Sequence, residues 1–163
     1  MKRDNILTDH TLIIYELERS FKFYNWNSIL SFLPKGSYLV GGYIRDIILK
    51  RVTEKVDIDI VVPFNAIEIG KMISENIKSK FVILDKEREV VRIILNHISI
   101  DIANQISSTI EGDLCSRDFS INSIAFLFDE KLLFDPLNGL KDLEFALLKT
   151  CLLYTSPSPR DDR

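Results

Sequence analysis

Two aspartates separated by one residue, Asp57-Ile58-Asp59, stand inside the β-branched run VDIDIVV at residues 56–62. In an extended strand alternate side chains share a face, so both carboxylates project together while Ile58 points the other way. Like charges this close repel, and the strand holds no basic residue to offset them. A divalent cation between them removes that cost. Magnesium suits the arrangement, because it takes one or two carboxylates and fills its other positions with substrate phosphate and water. Taken alone, the pair also fits a solvated strand edge.

Upstream, Gly41-Gly42 joins the short apolar run Tyr38-Leu39-Val40 to a segment of helical character from Tyr43 to Arg51. Glycines at a strand-to-helix turn let the backbone bend sharply and come close to a ligand. The helix start offers free N–H groups and a positive dipole end to phosphate. Arg45 and Asp46 fall in its first turn, where Arg45 either reaches a triphosphate or pairs with an acidic neighbour.

GGYIRDIILKR followed by VDIDIVV resembles the nucleotidyltransferase superfamily typified by DNA polymerase beta. The resemblance is closest to its class II branch, which holds bacterial CCA-adding enzymes, their CC- and A-adding relatives, and bacterial poly(A) polymerases. GDLCSRDFSIN at residues 112–122 resembles the ribose-reading motif of that branch, matching it at Arg117, Asp118 and Asn122. It departs at Gly112, where an acidic residue is usual, and at Ser116, which replaces an arginine and so removes a cation near the nucleotide. DPLNGLKDL at residues 135–143 resembles an architectural turn that sets the following helix.

The resemblance spans about Tyr38 to Thr150 and implies a set of roles. Asp57 and Asp59 become catalytic metal ligands. Gly41, Gly42, Arg45 and Asp46 cradle the triphosphate, and Arg117, Asp118 and Asn122 hold the sugar, favouring ribose through its 2′-hydroxyl. Asp118 and Asn122 fall one turn apart if their segment is helical. A third carboxylate is usual in the superfamily, and Asp101, a charge set in the apolar strand run ISIDIA, is the best candidate for it. The implied reaction is attack by the 3′-hydroxyl of tRNA or another RNA on the α-phosphate of ATP or CTP, assisted by Mg2+, with release of pyrophosphate. Addition of CCA, CC or A to tRNA is the leading expectation, and poly(A) addition is the other reading of the same chemistry. A reading of another class is a nucleotide- or RNA-binding module without catalysis, which the retained Asp57/Asp59 pair argues against.

The elements that must position these residues are interleaved without a repeat. Apolar spacing over residues 10–33 predicts one or two helices, and Ala66 to Lys78 predicts an amphipathic helix. Strand-like segments cover 81–84, 90–95, 98–103 and 132–134. Residues 105–112 read as a polar stretch, 119–128 as helical or mixed, and 140–148 as a last helix. This predicts an α+β (mixed α/β) fold, a nucleotidyltransferase-type mixed sheet packed against helices. The division expected is a helical lead-in at 1–36, the head domain at 37–150, and a tail at 151–163. That tail, CLLYTSPSPRDDR, resembles one reading frame of a sequencing adaptor and reads as non-native.

With 163 residues, 46% hydrophobic and 28% charged, the chain suits one domain with a real core. A net charge of -3 sets it apart from proteins that hold long RNA on one basic surface, so the main grip on RNA is expected on local patches or elsewhere. Cys115 and Cys151 imply no disulfide framework, His10 and His97 lack metal-ligand spacing, and no membrane association is expected. A cytoplasmic protein is the expectation.

Overall fold

The computed structural model describes residues 6–24, 26–51 and 54–151. Residues 152–163, nearly all of the segment read as a non-native tail, lie outside the described residues. The order of elements is α1 (His10–Phe23), α2 (Asn27–Leu30), β1 (Tyr38–Val40), α3 (Gly42–Ile48), β2 (Val56–Val62), α4 (Ala66–Asn76), β3 (Lys80–Asp85), β4 (Val90–Leu95) and β5 (Ile98–Asn104). After these come α5 (Ile110–Cys115), a 3-10 turn (Ser120–Asn122), β6 (Ala125–Leu127), β7 (Leu132–Phe134) and α6 (Gly139–Glu144).

The described strands form one mixed sheet in the order β3-β4-β5-β2-β1-β6-β7. β2 and β5 run parallel, and every other neighbouring pair is antiparallel. The expected mixed α/β architecture is therefore present. β2 lies in the interior of the sheet, and its alternation sorts its side chains. Ile58, Ile60 and Val62 enter the main core, while Asp57 is exposed and Asp59 half-buried on the opposite face.

Helices cover the core face. Asp9 caps α1 by accepting hydrogen bonds from the amides of Thr11 (2.7 Å) and Leu12 (3.2 Å), two of the donors a helix start leaves unpaired. The buried stripe Ile13, Leu17 and Phe21 of α1 then joins the same apolar cluster as Ile44 and Ile48 of α3 and Ile73 of α4. On the other face a smaller cluster of Val40, Val61, Ile110, Leu114 and Ala125 is closed by α5.

Two local expectations need correction, and a third resolves to one of its two readings. The polar stretch 105–112 contains the start of α5, whose six residues carry only Ile110 and Leu114 as buried apolar positions, too few to produce a readable period. The segment 119–128, read as helical or mixed, is mixed. Phe119 is extended, Ser120–Asn122 make a single 3-10 turn, and β6 follows. The last helix ends at Glu144 rather than Leu148.

The turn before α6 shows what DPLNGLKDL does. Asp135 accepts hydrogen bonds from the amides of Gly139 (2.6 Å) and Leu140 (3.0 Å), capping α6 from four residues upstream. A Cβ on Gly139 would overlap the carbonyl oxygen of Ser120. Asp142 is fully buried and accepts from the Ser120 hydroxyl at 2.6 Å, with Lys149 as its charge partner. Together these contacts fix the 3-10 turn that carries Asn122.

Candidate active site

β1 stops at Val40, whose register partner on β2 is Asp59. The stretch of β2 from Val56 to Ile58 therefore continues past the end of β1, and the chain leaving β1 folds back over that gap. Gly41 makes the reversal with φ 81° and ψ −147°, a conformation open to glycine and costly for other residues. Its approach to the carboxylate is very close. A Cβ on Gly41 would lie 2.7 Å from Asp59 Oδ2 and 3.3 Å from a terminal guanidinium nitrogen of Arg117. The glycine, the second aspartate and the arginine of the third motif thus meet at one point.

Arg117 reaches this point from the end of α5. Its Nε is buried and makes no hydrogen bond among the described residues, standing 3.9 Å from Asp113 Oδ2. Asp113 is itself buried and accepts from the amide of Ile106 at 3.1 Å. An under-satisfied guanidinium beside a carboxylate is a fixed positive charge with capacity left for an anion. Asp113 was not singled out in the sequence, although its spacing four residues before Arg117 on α5 was the available signal. Gly112, where an acidic residue is usual, also gains a reason. A Cβ there would sit 2.8 Å from the Cβ of Ser107.

Arg45 takes the local option and more. Its Nε and one terminal nitrogen hold Asp46 Oδ1 at 3.0 and 2.9 Å, and its other terminal nitrogen donates to Asn122 Oδ1 at 2.8 Å. α3 and the 3-10 turn are thereby joined through one guanidinium. Asp118 is placed differently. Its side chain is exposed, its carbonyl accepts from the amide of Cys151, and extended Phe119 separates it from Asn122, so the one-turn relationship does not occur.

Asp101 lies beside Asp59 as its register partner on parallel β5. Its carboxylate is closed by Arg92 of β4, whose Nε and terminal nitrogen each donate at 2.7 Å. Arg92 was not anticipated either. The electrostatics converge on Asp59, whose carboxyl is raised above its ordinary range by burial, pulled back by Arg117, and raised again by the charges of Asp101 and Asp57. Two carboxylates that repel across a half-buried face have the chemistry for a hard divalent cation. No cluster of three or more His, Cys, Asp or Glu side chains poised for a metal occurs among the described residues. A cation here would accordingly rest on Asp57 and Asp59 and draw its remaining ligands from substrate and water, and the donor set fits that role.

A cavity of about 500 Å³ opens beside the pair. Asp57, Asp59, Gly42, Arg45 and Asp46 line one side of it, and residues of α1 line the other. No helix among the described residues is long and apolar enough to cross a membrane.

Residues 37–149 match the family described as Poly A polymerase head domain. The chain is 42% identical over 120 residues to the CC-adding tRNA nucleotidyltransferase of Synechocystis sp., an alignment covering 74% of this chain and 29% of that protein. Among solved structures, a CCA-adding enzyme in its apo form superposes with a TM-score of 0.68 at 31% identity, covering 80% of this chain and 34% of the other. A CCA-adding enzyme in complex with CTP superposes with a TM-score of 0.63 at 33% identity, covering 71% and 29%. The chain therefore spans about a third or less of the length of these relatives.

Proposed function

Because the chain belongs to the Poly A polymerase head domain family, we propose that it is the catalytic head of a template-independent nucleotidyltransferase that extends the 3′ end of tRNA in the cytoplasm. CTP and ATP are the nucleotide substrates in this reading, and Mg2+ is the cofactor. Residues 37–150 form the head, residues 1–36 a lead-in, and residues 151–163 a non-native tail. The likeness to a CC-adding relative supports tRNA over general poly(A) addition. The observation that carries the reading is the meeting of Gly41, Asp59 and Arg117 within contact distance.

Asp57 and Asp59 would hold the cation, which lowers the pKa of an attacking 3′-hydroxyl and neutralises charge on a triphosphate. The remaining tasks belong to the chain itself. Gly41 has no side chain, so Asp59 and Arg117 can close on its backbone, where a Cβ would meet them at 2.7 and 3.3 Å. Arg117, held in place by Asp113, presents fixed positive charge where the transferred phosphoryl group becomes more negative. Arg45 orients Asn122 towards the sugar and ties that residue to the glycine turn. No protein nucleophile is needed, because positioning and charge stabilisation supply the catalysis.

The test has two arms. Titration of the chain with CTP or ATP should show saturable binding that requires magnesium and is lost in Asp57→Ala and Asp59→Ala. Addition of CTP alone, then ATP alone, to tRNA lacking its 3′ end identifies the nucleotides joined. Nucleotide binding indifferent to both aspartates would end the assignment.

A further inference from the structure

The wall of the cavity built by α1 has no part in the family match, which begins at residue 37, and nothing in the nucleotide site uses it. Ser20, Phe23 and Tyr24 line it, together with Arg19. Phe23 is 81% exposed, the most solvent-accessible large apolar side chain among the described residues. Tyr24 packs edge-on against it, with centroids 5.0 Å apart and planes at 88°. A free aromatic face beside a cavity is costly in water and is not needed by the core, which already takes Ile13, Leu17 and Phe21 from the same helix.

We propose that this wall is the acceptor subsite, where the unpaired 3′-terminal nucleoside of the RNA stacks on Phe23 with its hydroxyl directed at the Asp57/Asp59 pair. The proposal rests on the head reading above and adds to it the seat of the second substrate. Two substrates must meet at the carboxylates from different sides, since attacking and leaving oxygens lie in line across the phosphorus. Of the residues assigned to the nucleotide, Gly42, Arg45 and Asp46 line the cavity together with Asp57 and Asp59, whereas Gly41, Arg117 and Asn122 do not. The cavity thus opens onto the carboxylates between part of the triphosphate cradle and α1, whose wall carries no residue assigned to the nucleotide.

Size and charge agree with this occupant. A volume of about 500 Å³ lies within the range of small-ligand sites. Acidic and basic residues balance in number along its lining, so a divalent cation at Asp57 and Asp59 leaves the cavity net positive and suited to a phosphodiester strand. An aromatic platform accepts any base, because every base has a π-face. The subsite would thus hold successive 3′ ends of different sequence as the strand grows.

The experiment uses the whole 163-residue chain with magnesium and a 5′-fluorescein single-stranded RNA octamer, read by fluorescence anisotropy. CTP and ATP titrations run in parallel. Phe23→Ala should weaken RNA binding roughly tenfold, the loss expected for one base-stacking contact, and leave nucleotide affinity unchanged. Phe23→Trp should restore RNA binding. A 4-thiouridine at the RNA 3′ terminus should crosslink to the peptide carrying Phe23 and Tyr24.

RNA affinity unchanged in Phe23→Ala, equal losses for RNA and nucleotide, crosslinking elsewhere, or no RNA binding by the wild-type chain each overturn the subsite. Failure of the head reading is distinct, since the wild-type chain then shows no cation-dependent binding of CTP or ATP. Because Phe23 is exposed, its replacement leaves the core intact, which matching thermal unfolding curves would verify.

Discussion

Gly41 and Asp59 touch across the β1–α3 turn, so closely that a methyl group on the glycine would stand 2.7 Å from a carboxylate oxygen. The turn and the carboxylate are one mechanical unit. Gly41→Ala meets both a positive φ and an occupied space, and should cost about 1–3 kcal/mol of stability. It should also displace Asp59 and weaken magnesium-dependent nucleotide binding at least tenfold. Thermal unfolding and nucleotide titration measure the two effects. A folded Gly41→Ala protein with wild-type affinity would show that the contact has no functional weight.

Asp59 makes a pH-dependent prediction. Burial raises its carboxyl, against the pull of Arg117 and with the push of Asp101 and Asp57. A carboxyl raised in the folded state binds its proton more tightly there than in the unfolded chain. Its stabilising contribution is full below the unfolded value and is lost as pH rises through the folded one. Without added cation, Asp59→Asn should therefore raise Tm near neutral pH by a few degrees, and the gain should shrink on acidification. Magnesium should stabilise the wild-type chain and not the variant. A lower Tm for Asp59→Asn at neutral pH would contradict this account.

Arg92 keeps Asp101 apart from the pair beside it. Its two 2.7 Å hydrogen bonds neutralise a carboxylate that would otherwise add a third negative charge next to Asp59. Arg92→Gln should raise the affinity of the chain for Mg2+ or Mn2+ by roughly fivefold, about 1 kcal/mol. Asp101→Asn in the same background should remove the gain. Calorimetric titration with the metal alone reads both, and equal affinities in all three proteins would place Asp101 outside the cation's reach.

Gly139 supports the site from behind. Its Cα packs on the carbonyl of Ser120, leaving no space for a side chain. Gly139→Ala should destabilise the chain by about 1–3 kcal/mol, as overpacking does. It should also shift the 3-10 turn and loosen the Arg45–Asn122 hydrogen bond, so that nucleotide affinity falls while Asp57 and Asp59 are untouched. Unchanged nucleotide affinity in a destabilised protein would confine Gly139 to folding.

Much of this was legible in the residues. VDIDIVV announces a strand with two carboxylates on one face, and period-2 alternation alone is enough to place them together. The glycine pair announces a turn, and φ 81° at Gly41 is what that residue type permits. α5 was not legible, because a six-residue helix with two apolar contacts is shorter than any useful period. Phe119 left two readings open. Its run of mixed apolar residues suits a helix, but the bridge to Thr150 and the clamp from Gly139 and Asp142 hold it extended.

Local chemistry, which depends on the order of a few neighbouring residues, came from the sequence by itself: the paired carboxylates, the glycine turn and the mixed α/β class. What only the tertiary structure decided are the relationships between residues far apart along the chain. Arg117 reaches Gly41, Arg45 holds Asn122, Arg92 closes Asp101, and α1 walls the cavity. The reason is physical. Alternation and turn chemistry act over one or two residues of backbone, whereas these contacts are set by sheet order, strand ends and core packing, which no local spacing encodes.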